Sequence, residues 1–184
     1  MQGACQLVRM RSRGGKFEGP ETPICGRSIA EASCVMLEDD LAQLRRVIAR
    51  GAAARDIDAV LEPIISVGDP RTIAPLLLML TDDAEDESLW SLVHAVEQFD
   101  DATYVRHFLS ALSGLVVGSS RWASILMMRI LNSEASQAEL IRQVRIAPVY
   151  SRKAAAFLCG AINERDARFL AKTTSVLLAA SDGS

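Results

Sequence analysis

His94 and His107 are the two histidines of the 184-residue chain, and any imidazole acid–base chemistry would have to start from them. They lie thirteen residues apart, on different predicted helices, with no HExxH or HxxxH spacing. Glu97 follows His94 by three, which puts both on one helix face. A solvated or helix-capping histidine explains that pairing without catalysis. No GxSxG, GxGxxG or Walker sequence supplies a nucleophile elbow or a phosphate loop. Gly114 to Gly118 reads as a short apolar turn, not a phosphate cradle. Cys159 sits on an apolar helix and reads as a buried structural thiol. Four cysteines without a CxxC pair give neither a zinc signature nor a disulfide framework. These residues predict no enzyme, no metal and no cofactor.

The charges are more informative. Residues 36–120 carry 6 Lys and Arg against 15 Asp and Glu, while residues 121–184 carry 9 against 5. Seven acids crowd two helix junctions: Asp82, Asp83, Glu85, Asp86 and Glu87, then Asp100 and Asp101. Acids at helix N-termini cap free amides and complement the helix dipole. That role accounts for two or three of the seven. The rest make a negative field that repels nucleic acid and attracts a basic protein. The seven are therefore the predicted partner-binding residues.

One helix carries an oddity of another kind. Between Arg121 and Asn132 only Ser124 and Arg129 interrupt an apolar run that includes Trp122, Leu126, Met127 and Ile130. A helix apolar on nearly all sides is buried on most of them. Arg129 shares a face with Trp122, seven residues before it, so it should be half-buried and in need of an acid, a carbonyl or an aromatic face. Arg152, by contrast, reads as a surface residue. Asn132 stands where the helix should end and suits a left-handed cap.

Helices must position these residues, since helical periodicity runs from Met36 onward and no segment alternates like a strand. Leu37, Leu41, Leu44 and Ile48 mark the first helix, closed by Gly51. Ile57, Val60, Leu61, Ile64 and Ile65 mark the second, where Pro63 predicts a kink or an early end. Asp69 and Pro70 read as cap and first residue of a third, carried by Ile73, Leu76, Leu77 and Leu80. Leu89, Trp90, Val93 and Val96 mark a fourth; Tyr104, Phe108 and Leu112 a fifth; residues 120–132 a sixth. Ala138, Ile141 and Val144 mark a seventh, Tyr150, Ala154, Phe157, Leu158 and Ala161 an eighth, and Phe169 to Leu178 a ninth.

Residues 1–35 differ from this body. They hold five glycines, two prolines and three of the four cysteines, and Met1 to Arg27 has no period. The segment reads as a disordered tail or a mispredicted extension before a true start at Met36, leaving 36–184 as one domain. Its basic residues have no apolar run behind them, so it is no secretory signal. No apolar stretch reaches the ~18 residues of a membrane span. A cytoplasmic protein without membrane contact is expected.

Two resemblances follow from these residues. The segment from Gly68-Asp-Pro-Arg-Thr-Ile-Ala-Pro-Leu to Asp82-Asp83 resembles the opening of a HEAT-like repeat, with residues 86–99 as its second helix. It implies an all-α fold, a short irregular α-solenoid of about nine helices, with a compact helical bundle as the alternative. Trp122-Ala…Arg129-Ile-Leu-Asn132, with Trp90-x-x-x-His94-x-x-Glu97 upstream, resembles the Imm30-type immunity proteins of bacterial polymorphic toxin systems over roughly residues 57–165. That resemblance implies a small all-α cytoplasmic protein that binds and neutralises a cognate toxin. Trp90, Trp122, Arg129 and Asn132 would hold its fold. The acidic bias would suit a basic toxin such as a nuclease. A HEAT-like scaffold module is the second reading. A HEAT-like DNA-modifying enzyme is the third, opposed by the acidity of residues 36–120.

Overall fold

A computed structural model describes residues 29–83 and 86–182, and the helices found there are nine in number, with no strand among the described residues. They are α1 (Ile29–Ala49), α2 (Ala54–Ser66), α3 (Ile73–Leu77), α4 (Asp86–Val96), α5 (Asp101–Gly118), α6 (Ser120–Asn132), α7 (Glu134–Ile146), α8 (Val149–Arg165) and α9 (Leu170–Asp182). The protein is all-α, as its periodicity requires. Met36 lies inside α1, not at its start. The aperiodic stretch Met1 to Arg27, and with it most of the expected tail, lies outside the described residues.

Packing follows the order of the chain. α1 lies on α2, α2 on α4, and α3 on α4 and α5; α5 also meets α6, α7 and α8, and α9 closes on α7 and α8. One continuous core results, with Trp122 and Phe108 its largest fully buried side chains. Two glycines in the left-handed region, Gly51 at φ +65° and Gly68 at φ +66°, stop α1 and α2. Pro63 neither breaks nor shortens α2 to that point, since the helix runs three residues beyond it to Ser66. Asp69 accepts the Arg71 amide and Pro70 opens a 3₁₀ turn, Pro70–Thr72, that leads into α3. α3 itself ends at Leu77, but bonds from the Met79 and Leu80 amides to the Leu76 and Leu77 carbonyls continue the turn. Leu80 thereby stays in the core.

Five expectations fail, each for a physical reason. Gly114 to Gly118 is the last turn of α5 and not a loop. Gly114 lets α3 and its extension come close: a Cβ there would stand 2.9 Å from Leu78 Cδ2. Asn132 is the last residue of α6 in ordinary helical backbone, and no non-glycine among the described residues has positive φ. Extended Ser133 ends the helix instead, its hydroxyl accepting the Ser136 amide at the start of α7. On α7 the inward residues are Ser136, Leu140, Gln143 and Val144, and Ala138 faces solvent. Gln143 earns its place by donating to the Ala102 carbonyl at 2.7 Å. On α8 the buried stripe is Ser151, Arg152, Ala155, Leu158, Cys159 and Ile162, leaving Tyr150 and Phe157 exposed. Small side chains let α8 pack closely on α5 and α9, so the bulky aromatics turn outward. Arg152 is carried inside with that stripe at 8% exposure and is not a surface residue. Cys159 is buried as expected, its thiol pushed up to about 12 by the loss of water.

Candidate functional site

Trp122 fixes the first joint of the site. It is the third residue of α6 and fully buried. Its indole Nε1 donates to the Thr81 carbonyl at 3.1 Å, and its ring stands edge-on to Trp90 of α4 at 5.3 Å and 70°. Asp82 accepts the backbone amides of Arg121 (3.2 Å) and Trp122 (3.4 Å), capping α6 from some forty residues upstream. The Ser119 hydroxyl donates to the Leu80 carbonyl. Residues 80–82 are thus stitched across the α5–α6 corner.

Arg129 builds the second joint, two turns along α6. Its Nε and Nη2 donate to the two Glu97 carboxylate oxygens at 2.5 and 2.6 Å, and its guanidinium lies 5.4 Å over the Trp90 ring. Of the acid, carbonyl or aromatic face that its place on α6 calls for, Arg129 has the acid and the aromatic face. The His94 ring stacks on the same indole at 6.0 Å, with Nδ1 3.8 Å from Glu97. His94 is otherwise largely solvated. The Glu97 hydrogen bonds push the Arg129 guanidinium further toward its charged form.

Beyond this pair the ends of α4, α5, α6 and α7 surround a cavity of about 460 Å³. Glu97, Phe99, Asp101, Tyr104, Arg129, Ile130, Asn132, Ser133 and Ser136 line it. Asp101 is half-buried and accepts a hydrogen bond from the Ser136 hydroxyl. Asn132 faces solvent and accepts from Lys172 Nζ of α9 at 2.8 Å. The Tyr104 hydroxyl is buried with no hydrogen-bond partner. Burial, with the Glu97 carboxylate adding to it, raises the pKa of that phenol.

The predicted acids divide between different surroundings. Asp100 caps α5, accepting the Thr103 amide at 3.0 Å, and this bond holds its carboxyl below the ordinary carboxylate value. Asp82 caps α6, and Asp101 lies in the cavity wall. Asp83 and Glu87 are exposed and line a separate recess of about 740 Å³ with Ile48, Arg55 and Ser88. Glu85 and the Asp86 side chain lie outside the described residues. Residue spacing missed Tyr104 and Ser136 as site residues. Tyr104 has the spacing of a core residue, and only its orphaned hydroxyl separates it from one. No group of three or more His, Cys, Asp or Glu among the described residues could hold a metal ion. No helix among them is long and apolar enough to cross a membrane.

Comparison with known proteins places this arrangement. The family model described as immunity protein 30 matches residues 44–140, over half of the chain. The matched span holds Trp90, His94, Glu97, Trp122, Arg129 and every residue of the cavity. No curated protein and no solved structure matches the chain. The Trp90–Trp122 pair, with Arg129 over Trp90, lies within that span, and the chain belongs to the immunity protein 30 family.

Proposed function

We propose that the protein neutralises a cognate toxin domain by binding it stoichiometrically and covering its working surface. It does so in the cytoplasm, through an acidic helical face that meets a basic partner such as a nuclease. Family membership supports the toxin partner. The charge distribution supports the acidic face: Glu38, Asp39, Asp40, Asp58, Glu62, Asp83 and Glu87 are all exposed, on α1, α2, the turn before α4 and the start of α4. Asp82 and Asp100 are committed to caps, so the face rests on the others. A HEAT-like arrangement is supported by helices that pack on the next and the next-but-one helix in sequence, with α5 on α8 as the exception.

Titrating a toxin domain whose gene neighbours this one with the purified protein tests the reading. Activity should fall linearly to an endpoint at one protein per toxin. Asp83→Lys with Glu87→Lys should keep the helical circular dichroism, slow association at low salt and flatten its salt dependence. A toxin that stays active at excess protein would sink the proposal. Equal association rates at both salts would remove the acidic face from it.

A further inference from the structure

We infer that α8 is the contact face of a weak two-fold dimer, in which the α8 helices of two copies of this chain pack antiparallel. The inward side of α8 is fixed by Ser151, Arg152, Ala155, Leu158, Cys159 and Ile162. On the opposite side Lys153, Phe157, Gly160 and Glu164 recur at i, i+4, i+7 and i+11, which sets them in one outward row. Phe157 stands in that row 63% exposed. Half-exposed Ala154, Ala156 and Ala161 flank it, so the row is apolar around its centre. Gly160 leaves a hollow one turn further on, since a Cβ there would meet nothing within 4 Å. Lys153 and Glu164 close the two ends of the row. Both are exposed, and neither is paired with a group among the described residues.

The row is complementary to its own reverse. Lys153 and Glu164 are centred between Leu158 and Cys159, and so are Phe157 and Gly160. A two-fold axis through that point sets Lys153 of each copy against Glu164 of the other, and each Phe157 ring over the other copy's Gly160. Two unlike-charge pairs, about 16 Å apart along the helix at 1.5 Å per residue, then bracket two apolar contacts. A parallel pairing in register would set lysine against lysine and glutamate against glutamate, so the charges select the antiparallel one. The missing Cβ at Gly160 lets the two backbones approach to the short end of helix packing distances, about 8 Å. One helix per copy makes a small interface, under about 1,200 Å² in total, so the pair is weak and the chain is single at low micromolar concentration. The row and the acidic face of α1 and α2 lie on different elements, so neither reading depends on the other.

Sedimentation equilibrium of the full chain from about 5 to about 500 µM tests the dimer. The average mass should rise across that range from one chain toward two. Phe157→Asp should hold it at one. Lys153→Glu opposes glutamate to glutamate and Glu164→Lys opposes lysine to lysine, so each alone should weaken self-association roughly tenfold or more. Both positions are exposed and neither change opposes the helix dipole, so the helical circular dichroism should hold. Mixed in equal amounts, the two single variants restore both unlike-charge pairs and should associate with each other about as tightly as wild type does with itself. The double variant, Lys153→Glu with Glu164→Lys, should regain self-association in the same way. A wild-type chain that stays single at the highest concentration overturns the dimer, and so does a Phe157→Asp chain that associates like wild type. Single variants that associate unimpaired, or a mixture of them that stays unassociated, overturn the antiparallel α8 contact.

Discussion

Arg129 and Glu97, 32 residues apart, join α6 to the turn that follows α4 with two parallel hydrogen bonds while the arginine covers the face of Trp90. The pair is half-open to water, with side-chain exposures of 40% and 24%. Its strength should therefore fall between an exposed pair and a buried one. A double-mutant cycle of Arg129→Ala and Glu97→Ala, read by urea denaturation, should give a coupling of about 1–2 kcal/mol. A coupling near zero would mean that the Trp90 stacking alone holds the arginine.

Arg152 makes the opposite case. It is buried on α8, and no carboxylate among the described residues pairs with it. Its stem packs where a hydrophobic side chain would also fit. Arg152→Met should be neutral or stabilising, whereas Arg152→Ala should cost about 1–2 kcal/mol through lost packing. Midpoints of chemical denaturation for both variants decide it. A strong loss in the methionine variant would reveal that the charge itself is needed.

The glycines divide by backbone. Gly160 lies within α8 and a Cβ there meets nothing within 4 Å, so Gly160→Ala should stabilise by about 0.5–1 kcal/mol. Gly51 has φ +65°, where a Cβ is strained, and Gly51→Ala should destabilise by about 1 kcal/mol. Gly114→Ala should fall between, because the gain in helix propensity must first move the Leu78 side chain. Melting the three side by side tests the order.

Acid should unfold the protein partly through its caps. Asp100 is held below its ordinary value of 3.8 by the Thr103 amide, and Asp69, Glu139 and Asp166 are held down by hydrogen bonds from Arg71, Arg142 and Arg168. Each folded value lies below the unfolded one. Their stabilisation is thus complete above the unfolded carboxylate range and is lost as pH falls through the folded values. Asp100→Asn keeps a capping oxygen but cannot titrate, so its melting temperature should fall less steeply than wild type below about pH 4. Superimposable acid limbs would exclude Asp100 as a contributor.

The sequence made some of this visible and hid the rest for particular reasons. α6 announced its burial because few polar residues interrupt it, and Arg129 announced its need because a charge in such a helix must be satisfied. Which acid would satisfy it was hidden, since Glu97 comes near only when α4 and α6 pack. On α8 Leu158 was legible, but Tyr150 and Phe157 were misread because aromatic residues weigh heavily in a periodicity, while Ser151, Arg152, Ala155, Cys159 and Ile162 complete the packed stripe. Gly114 could mean a turn or a close approach, and only the position of Leu78 separates the two. The cavity had no signature in the chain, because four helix ends and the Phe99–Asp101 link contribute to it and none of them has a ligand-like spacing.

The order of packing sets which part opens first. α1 is held chiefly by α2, and α2 in turn by α1 and α4, whereas α5 is clasped by α3, α6, α7 and α8. Local unfolding should therefore run inward from the first helix pair, with amide exchange fastest in α1 and slowest in α5. Five of the seven exposed acids proposed for the partner face ride on that looser pair, so the proposed face could adjust to a partner's contour without disturbing the arginine joint.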